Sequence, residues 1–251
     1  MQLTLDGRGI DEVSIERIRM FEPLEGYYLA FSGGKDSIVI LDLAKRSGVR
    51  YDAHYSVVGV DPPELVQFIK REHPEVVFDH PKRTMWRLTE TNALPTRQNR
   101  WCCANLKEAH GNGRFLLTGI RAAESARRKA RKMVEVCTDK NKRFLHPIYD
   151  WQDADVWQYI RERGLTYCCL YDEGFTRLGC VLCPMRSAQQ TAYEITRWPK
   201  IAAAWRAAAR RYYERGRPAV ARWATFEDFW NWWISREGGK ADEAQECFVF
   251  E

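Results

Sequence analysis

No stretch of this 251-residue chain approaches the run of about 18 uncharged apolar residues that a membrane-spanning helix needs. The opening Met-Gln-Leu-Thr-Leu-Asp-Gly-Arg has no apolar core of the signal-peptide kind. A cytoplasmic protein without a membrane partner is therefore expected. Eight cysteines are too few at this length for a disulfide scaffold, and their clustering points to thiol or metal chemistry in a reducing compartment. Internal repeats and low-complexity segments are absent, and so is Gly-x-x-x-x-Gly-Lys-Ser, which excludes the ordinary P-loop. The chain also lacks charge asymmetry outside one place. Residues 121–132 hold six cationic side chains against Glu124, an excess equal to the whole chain's +5, so the remainder is balanced. Such a stretch suits an anionic ligand, whether nucleotide, oxyanion or nucleic-acid backbone. The plainer explanation is a solvated helix face or loop.

What the chain does have is an apolar segment, Tyr27-Tyr-Leu-Ala-Phe31, running into Ser32-Gly-Gly-Lys-Asp-Ser37. The pattern reads as a strand, a glycine turn and a helix beginning near Ser37, an arrangement suited to phosphate. Gly33 and Gly34 let backbone N–H groups approach an anion, the helix aims its positive end at it, and Lys35 adds a mobile charge. Ser32 and Ser37 add hydroxyl donors, and Asp36 could hold a magnesium ion. A bare turn between strand and helix is the alternative.

Further along, apolar spacing predicts a helix over 37–45 ending at Gly48, a strand over 53–60, a helix from Pro62-Pro63 to about Glu72 and a short strand over 76–78. This alternation predicts an α/β fold, a parallel sheet with helices on both faces, in which ligands sit beyond the carboxyl ends of the strands. The Ser32–Ser37 loop, Asp61 and the Thr118-Gly119-Ile120-Arg121 turn after a strand over 114–117 all fall on that edge. A helix is expected over 153–163. From about Gln190 the texture turns to Ala, Arg and Trp, with six of the ten tryptophans beyond residue 197. This predicts a nucleotide-binding domain over 1–190 and a helical Trp-rich extension over 191–251. Phe226, Phe229, Trp230 and Trp233 share a face, ordinarily for core packing and otherwise as a surface that stacks bases.

Cys102-Cys103 and Cys180-Val-Leu-Cys183 form two close pairs. Zinc needs four thiolates at the corners of one tetrahedron, which adjacent residues reach poorly. In an iron–sulfur cube each cysteine binds a different iron, so neighbouring side chains can diverge and still ligate. Iron–sulfur is the better physical reading; zinc and buried or redox thiols stay open.

The six residues Ser32–Ser37 resemble the PP-loop of ATP pyrophosphatases, which split ATP between its α and β phosphates. Five further segments resemble, in order, the phosphoadenosine phosphosulfate (PAPS) reductase family: Trp101-Cys-Cys-Ala-Asn-Leu-Lys-Glu, Thr118-Gly-Ile-Arg-Ala-Ala-Glu-Ser-Ala-Arg-Arg, His146-Pro-Ile-Tyr-Asp-Trp, Asp155-Val-Trp-Gln-Tyr-Ile and Leu170–Pro184. The resemblance covers about residues 27–190. It implies a PP-loop fold and a [4Fe-4S] cluster of the adenylylsulfate (APS) reductase type on Cys102, Cys103, Cys180 and Cys183. It also implies that Arg121, Ser125 and Arg128 face the anionic part of the substrate.

Two departures from that family matter. Its reductases usually carry a degenerate loop, because their nucleotide has no β–γ pyrophosphate, whereas here the loop is intact, which favours ATP. They also end in Glu-Cys-Gly-Leu-His or a near variant, and this chain shares only Glu246-Cys247. An intact loop beside four cysteines is closer to the DNA phosphorothioation and tRNA-thiolation branches. The first expectation is thus an enzyme that adenylates DNA or tRNA with magnesium ATP for sulfur transfer, supplied by a cysteine desulfurase. The second is an APS or PAPS reductase with Cys247 as nucleophile and thioredoxin as reductant. The third is a non-catalytic nucleotide- or nucleic-acid-binding module.

Overall fold

The computed structural model describes residues 7–138, 141–216 and 220–236. Six strands form one sheet in the order β3-β2-β1-β4-β6-β5, with helices on both faces. The strands are β1 (Tyr27–Ala30), β2 (Tyr51–Ser56), β3 (Val77–Asp79), β4 (Phe115–Leu117), β5 (Val134–Cys137) and β6 (Lys142–Leu145). All neighbours run parallel except β5, which pairs antiparallel with β6 as an edge strand. The sheet is thus parallel with helices on its faces, as expected, with one antiparallel edge strand added. Val134-Glu-Val-Cys137 is only four residues long and leaves Val136 exposed, so periodicity did not single it out.

Helix α2 (Lys35–Ser47) starts two residues earlier than the sequence suggested, with Gly34 in extended conformation as its N-cap. Ile38, Val39, Ile40, Leu41, Leu43 and Ala44 are buried, and Gly48 ends the helix at φ 73°, a left-handed cap that glycine adopts without penalty. Asp36 in the first turn and Lys45 and Arg46 in the last both favour the helix dipole. Helices α1 (Ile10–Met20) and α6 (Asp153–Glu162) lie alongside α2, with Arg46 bonded to Asp11 and the Tyr159 hydroxyl to Asp42.

The chain leaves β1 for β2 on one side, and β4 flanks β1 on the other, so the sheet's order reverses between β1 and β4. Ligand crevices in open α/β sheets lie at such a reversal. The first residues of α2 and the turn after β4 meet there so closely that a Cβ on Gly119 would stand 2.9 Å from the Asp36 Cβ and 3.0 Å from its carbonyl carbon. Both obstacles are near or in the backbone and cannot swing aside. Gly119→Ala is therefore expected to cost about 1–3 kcal/mol, seen as a fall of several degrees in thermal denaturation. Gly179→Ala, where a Cβ meets nothing within 4 Å, should be nearly silent. Equal melting temperatures would remove the close-approach argument.

Helix α3 (Pro63–Glu72) matches its expected span, while α4 (Met85–Asn92) carried no signal that was read from sequence. Helices α7 (Ala188–Arg197), α8 (Pro199–Glu214) and α9 (Phe226–Ser235) follow the body. Phe226, Phe229, Trp230 and Trp233 are all buried in the same core cluster as the sheet residues. The indole N–H groups of Trp205 and Trp233 donate to the carbonyls of Val181 and Pro95, tying the last helices to segments next to the cysteines.

Candidate functional site

The glycine requirement in the Ser32–Ser37 loop falls on Gly33. It sits at φ 74°, and a Cβ there would strike Ile69 and Leu65 of α3 at 2.8 Å, so both conformation and space demand glycine. Gly34 is extended, and its Cβ position lies 3.4 Å from the Ser32 and Tyr171 hydroxyls, an ordinary distance. The loop's donors are partly used internally. The Ser32 N–H donates to the Ser37 hydroxyl, the Gly34 N–H to the Ser32 hydroxyl, and the Lys35 N–H to the Tyr171 hydroxyl at 2.9 Å. Among the described residues the first-turn N–H groups of Asp36 and Ser37 have no hydrogen-bond partner, and they remain for an anion.

Lys35 and Arg121 are only 6% and 2% exposed. Lys35 Nζ reaches the Thr176 carbonyl and Asp153 Oδ1, both at 3.2 Å. Arg121 Nε donates to Asp36 Oδ1 at 2.6 Å, and its Nη2 donates to the same Asp153 oxygen at 3.0 Å. Burial pushes the Asp36 carboxyl above the usual carboxylate range, against the pull of Arg121 and Lys35. Asp36 is thus committed to Arg121, whereas the Asp153 side chain is 61% exposed. Two buried cations share one exposed carboxylate, which an incoming phosphate can displace at little cost because Asp153 turns to water.

Asp61 lies beyond the strand that was expected to end beside it. β2 stops at Ser56, and Asp61 sits in the following loop, accepting a hydrogen bond from the Tyr55 hydroxyl. It still shares a cavity with Ser32, Phe31, Tyr55 and Lys107.

The four cysteines of the two pairs line one cavity of about 470 Å3. A water molecule takes about 30 Å3, so the space suits a polyatomic group far better than a single ion. Among the described residues no three His, Cys, Asp or Glu side chains are grouped closely enough to share one metal ion. Local backbone turns the pairs inward. Cys103–Lys107 is a π-helical turn closed by the Glu108 N–H on the Cys103 carbonyl, a feature common at functional sites. Leu182 between the other two cysteines is left-handed at φ 59°, a strained state for a leucine. Its N–H donates to the buried Glu194 carboxylate at 2.6 Å and its carbonyl accepts from Arg236. A hydrogen bond from Cys102 draws the Cys103 thiol below the usual thiol range and pushes Cys102 above it, with Lys107 and Arg100 also favouring the Cys103 thiolate.

The Arg-x-x-x-Ser-x-x-Arg residues divide between two cavities. Arg121 faces the loop, while Ser125 and Arg128 line the cysteine cavity. Ser125 caps the short helix α5 (Ala126–Lys129), and Arg128 pairs with Glu124. Six cationic side chains, Arg100, Lys107, Arg127, Arg128, Arg131 and Arg177, line the cysteine cavity against Glu124 and Glu135. Glu124 and Arg177 line both that cavity and the loop cavity, so the two adjoin. Cys247 lies outside the described residues. The reading from sequence did not single out Lys107, Asp153, Tyr171, Arg177 or Glu194. Lys107 stands one turn after Cys103 and could have been found on that spacing; the others depend on tertiary contacts.

No described helix is long and apolar enough to cross a membrane. Residues 26–186 match the model of the phosphoadenosine phosphosulfate reductase domain. An uncharacterised protein of Methanocaldococcus jannaschii is 28% identical over 201 residues, 74% of this chain and 42% of that protein. The chain spans about two fifths of the length of this relative and of a second one from the same organism. An adenosine 5'-phosphosulfate reductase of Oceanobacillus iheyensis is 25% identical over 186 residues, 67% of this chain and 75% of the reductase. The PAPS reductase structure from Candida auris has the same fold, with a TM-score of 0.53 at 19% identity, covering 72% of this chain and 97% of that one. A match over this span, on a fold whose phosphate loop and paired cysteines face adjoining cavities, means that the chain belongs to the phosphoadenosine phosphosulfate reductase domain family.

Proposed function

We propose that this chain is an adenylating sulfur-transfer enzyme that splits ATP to AMP and pyrophosphate, with DNA or tRNA as acceptor and a [4Fe-4S] cluster on Cys102, Cys103, Cys180 and Cys183. The observation that carries the reading is the shared wall of Glu124 and Arg177 between the intact loop's cavity and the four-thiol cavity. Activation at one and sulfur delivery at the other need no long transfer.

ATP enters as its magnesium complex. The β–γ pyrophosphate takes the Asp36 and Ser37 N–H groups and Lys35 Nζ, displacing the exposed Asp153 carboxylate. Asp36 holds Arg121 by its Nε, which keeps the rest of the guanidinium turned to the α-phosphate. An acceptor oxygen attacks the α-phosphorus, the bond to the β-phosphate breaks, and Lys35 with the helix N-terminus stabilises the charge that leaves on pyrophosphate. The terminal sulfur of a donor persulfide, such as that of a cysteine desulfurase, then displaces AMP, and a second thiol cleaves the resulting S–S bond, becoming disulfide-bonded to the donor and leaving the sulfur on the acceptor. When bound, the cluster would hold or deliver that sulfur, and the cationic lining would offset its negative charge. Arg127, Arg128 and Arg131 give the acceptor backbone its counter-charge.

A second reading, sulfite production from APS or PAPS with thioredoxin, is favoured by the relative named as an adenosine 5'-phosphosulfate reductase. Incubating the anaerobically isolated protein with ATP, APS or PAPS separately, with nucleic acid present, tests the two. Pyrophosphate and AMP from ATP alone are expected. Sulfite from APS or PAPS without any need for ATP would overturn the first reading.

A further inference from the structure

A second groove adjoins the cysteine cavity through Pro95 and Pro184, which line both. It measures about 240 Å3 and is built from the 95–98 segment and α9. Its lining holds three guanidinium groups, Arg97, Arg222 and Arg236, two indoles, Trp232 and Trp233, and no carboxylate. None of the three arginines lies in an ion pair with a carboxylate among the described residues. Arg97 donates to the carbonyls of Pro184 and Arg186, and Arg236 to those of Leu182 and Cys183, so the groove is built onto the cysteine loop. Trp233 is fixed, buried against Trp205 with its N–H on the Pro95 carbonyl. Trp232 is only partly buried, and the exposed Arg222 lies over its ring at 4.9 Å and over Trp223 at 3.9 Å.

We propose that this groove is a subsite for one unpaired nucleotide of a single-stranded nucleic-acid acceptor, its base stacked at Trp232 and its phosphate drawn by Arg222 and Arg97. The proposal rests on the nucleic-acid reading above. Trp232 packs on Trp223 and Phe229 and carries Arg222 against its ring, so a base takes that place as Arg222 swings to the phosphate, and a lining with no carboxylate among the described residues supplies the counter-charge. Stacking needs only a π-face, so the indole itself does not select a base. Position gives it a role. A strand held here runs past Pro184 into the cavity lined by the cysteines and Arg127, Arg128 and Arg131, which aligns one of its nucleotides for reaction.

Fluorescence anisotropy on the anaerobically isolated full chain, with labelled oligothymidylate, oligouridylate and a DNA duplex, tests this. Single strands should bind more tightly than duplex, and the two single-stranded arms distinguish DNA from RNA as the source. Trp232→Ala should weaken single-strand binding roughly 5- to 100-fold, the range set by base–indole stacking, with Trp232→Phe close to wild type. Arg222→Glu, an exposed change that the fold tolerates, should weaken binding at least about tenfold and reduce the salt dependence by roughly one to two released counterions. Wild-type affinity in both Trp232→Ala and Arg222→Glu, no preference for single strands, or equal displacement by polyglutamate would overturn the subsite. Pyrophosphate release from ATP is scored on the same samples. Turnover that survives without Trp232-dependent binding removes the subsite alone, whereas Trp232-dependent binding without ATP turnover upholds the subsite and removes the adenylating reading.

Discussion

Cys180→Ala, isolated without oxygen, is expected to be colourless, while the parent chain is brown with about four iron and four acid-labile sulfide per chain. Cys180 is one of four thiols on a single cavity, and the backbone that follows it is held in place. The Val181 N–H donates to the Val60 carbonyl, and Leu182 is pinned by Glu194 and Arg236. Among the described residues no other cysteine lines that cavity. Cys137 on the edge strand β5 and Cys168 in the core are the controls, and both alanine variants should keep the colour. Cys168→Ala loses a buried sulfur and costs of order 1 kcal/mol of stability, which melting separates from cluster loss. A colourless parent protein with stoichiometric zinc, or full iron content in Cys180→Ala, would sink the cluster assignment.

The sheet's centre was legible because its elements obey local rules. Helix α2 announces itself by apolar spacing and a C-terminal glycine, and α3 by its prolines. The edge pair β5–β6 was not legible: Glu135 answers Arg131 only four residues before it, and the buried Lys142 takes a strand position for a tertiary reason, donating to the Glu108 carbonyl beside the cysteines. The same distinction runs through the site. Motif spacing pointed to the loop, to Arg121 and to the two cysteine pairs. It gave no hint that Asp153 would bridge Lys35 and Arg121, or that Leu182 would need Glu194 to hold a left-handed turn, because each contact joins residues from separate elements. The tryptophans of α9 illustrate the limit of a helical face: Phe226, Phe229, Trp230 and Trp233 serve the core, and Trp232, off that face, lines the groove.

Lys35→Ala and Arg121→Ala should both damage ATP use, for different physical reasons, and Cys247→Ala should spare it. Lys35 is paired mainly with the exposed Asp153, so its loss leaves Asp36 on Arg121 and the fold intact. What goes is a charged hydrogen bond to the pyrophosphate, about 1.5–3 kcal/mol or roughly 10- to 100-fold in ATP affinity. APS and PAPS have no β–γ pyrophosphate, so their binding should change far less. Arg121→Ala removes the partner of a buried carboxylate and should cost about 3–5 kcal/mol of stability besides activity. Burial already raises the Asp36 carboxyl above its ordinary range. The folded chain therefore holds that proton more tightly than the unfolded chain, and the penalty appears as pH rises beyond the usual carboxylate range. Without Arg121 the raised range widens, so the variant should be relatively more stable in mild acid than at neutral pH, which melting across pH reads directly. Cys247→Ala should release pyrophosphate at the parent rate, because the acceptor oxygen supplies the attacking atom. A reductase would give the opposite pattern, with Lys35→Ala mild on APS or PAPS and Cys247→Ala inactive through loss of the sulfur nucleophile, and that pattern would replace ATP-driven sulfur transfer with sulfonate reduction.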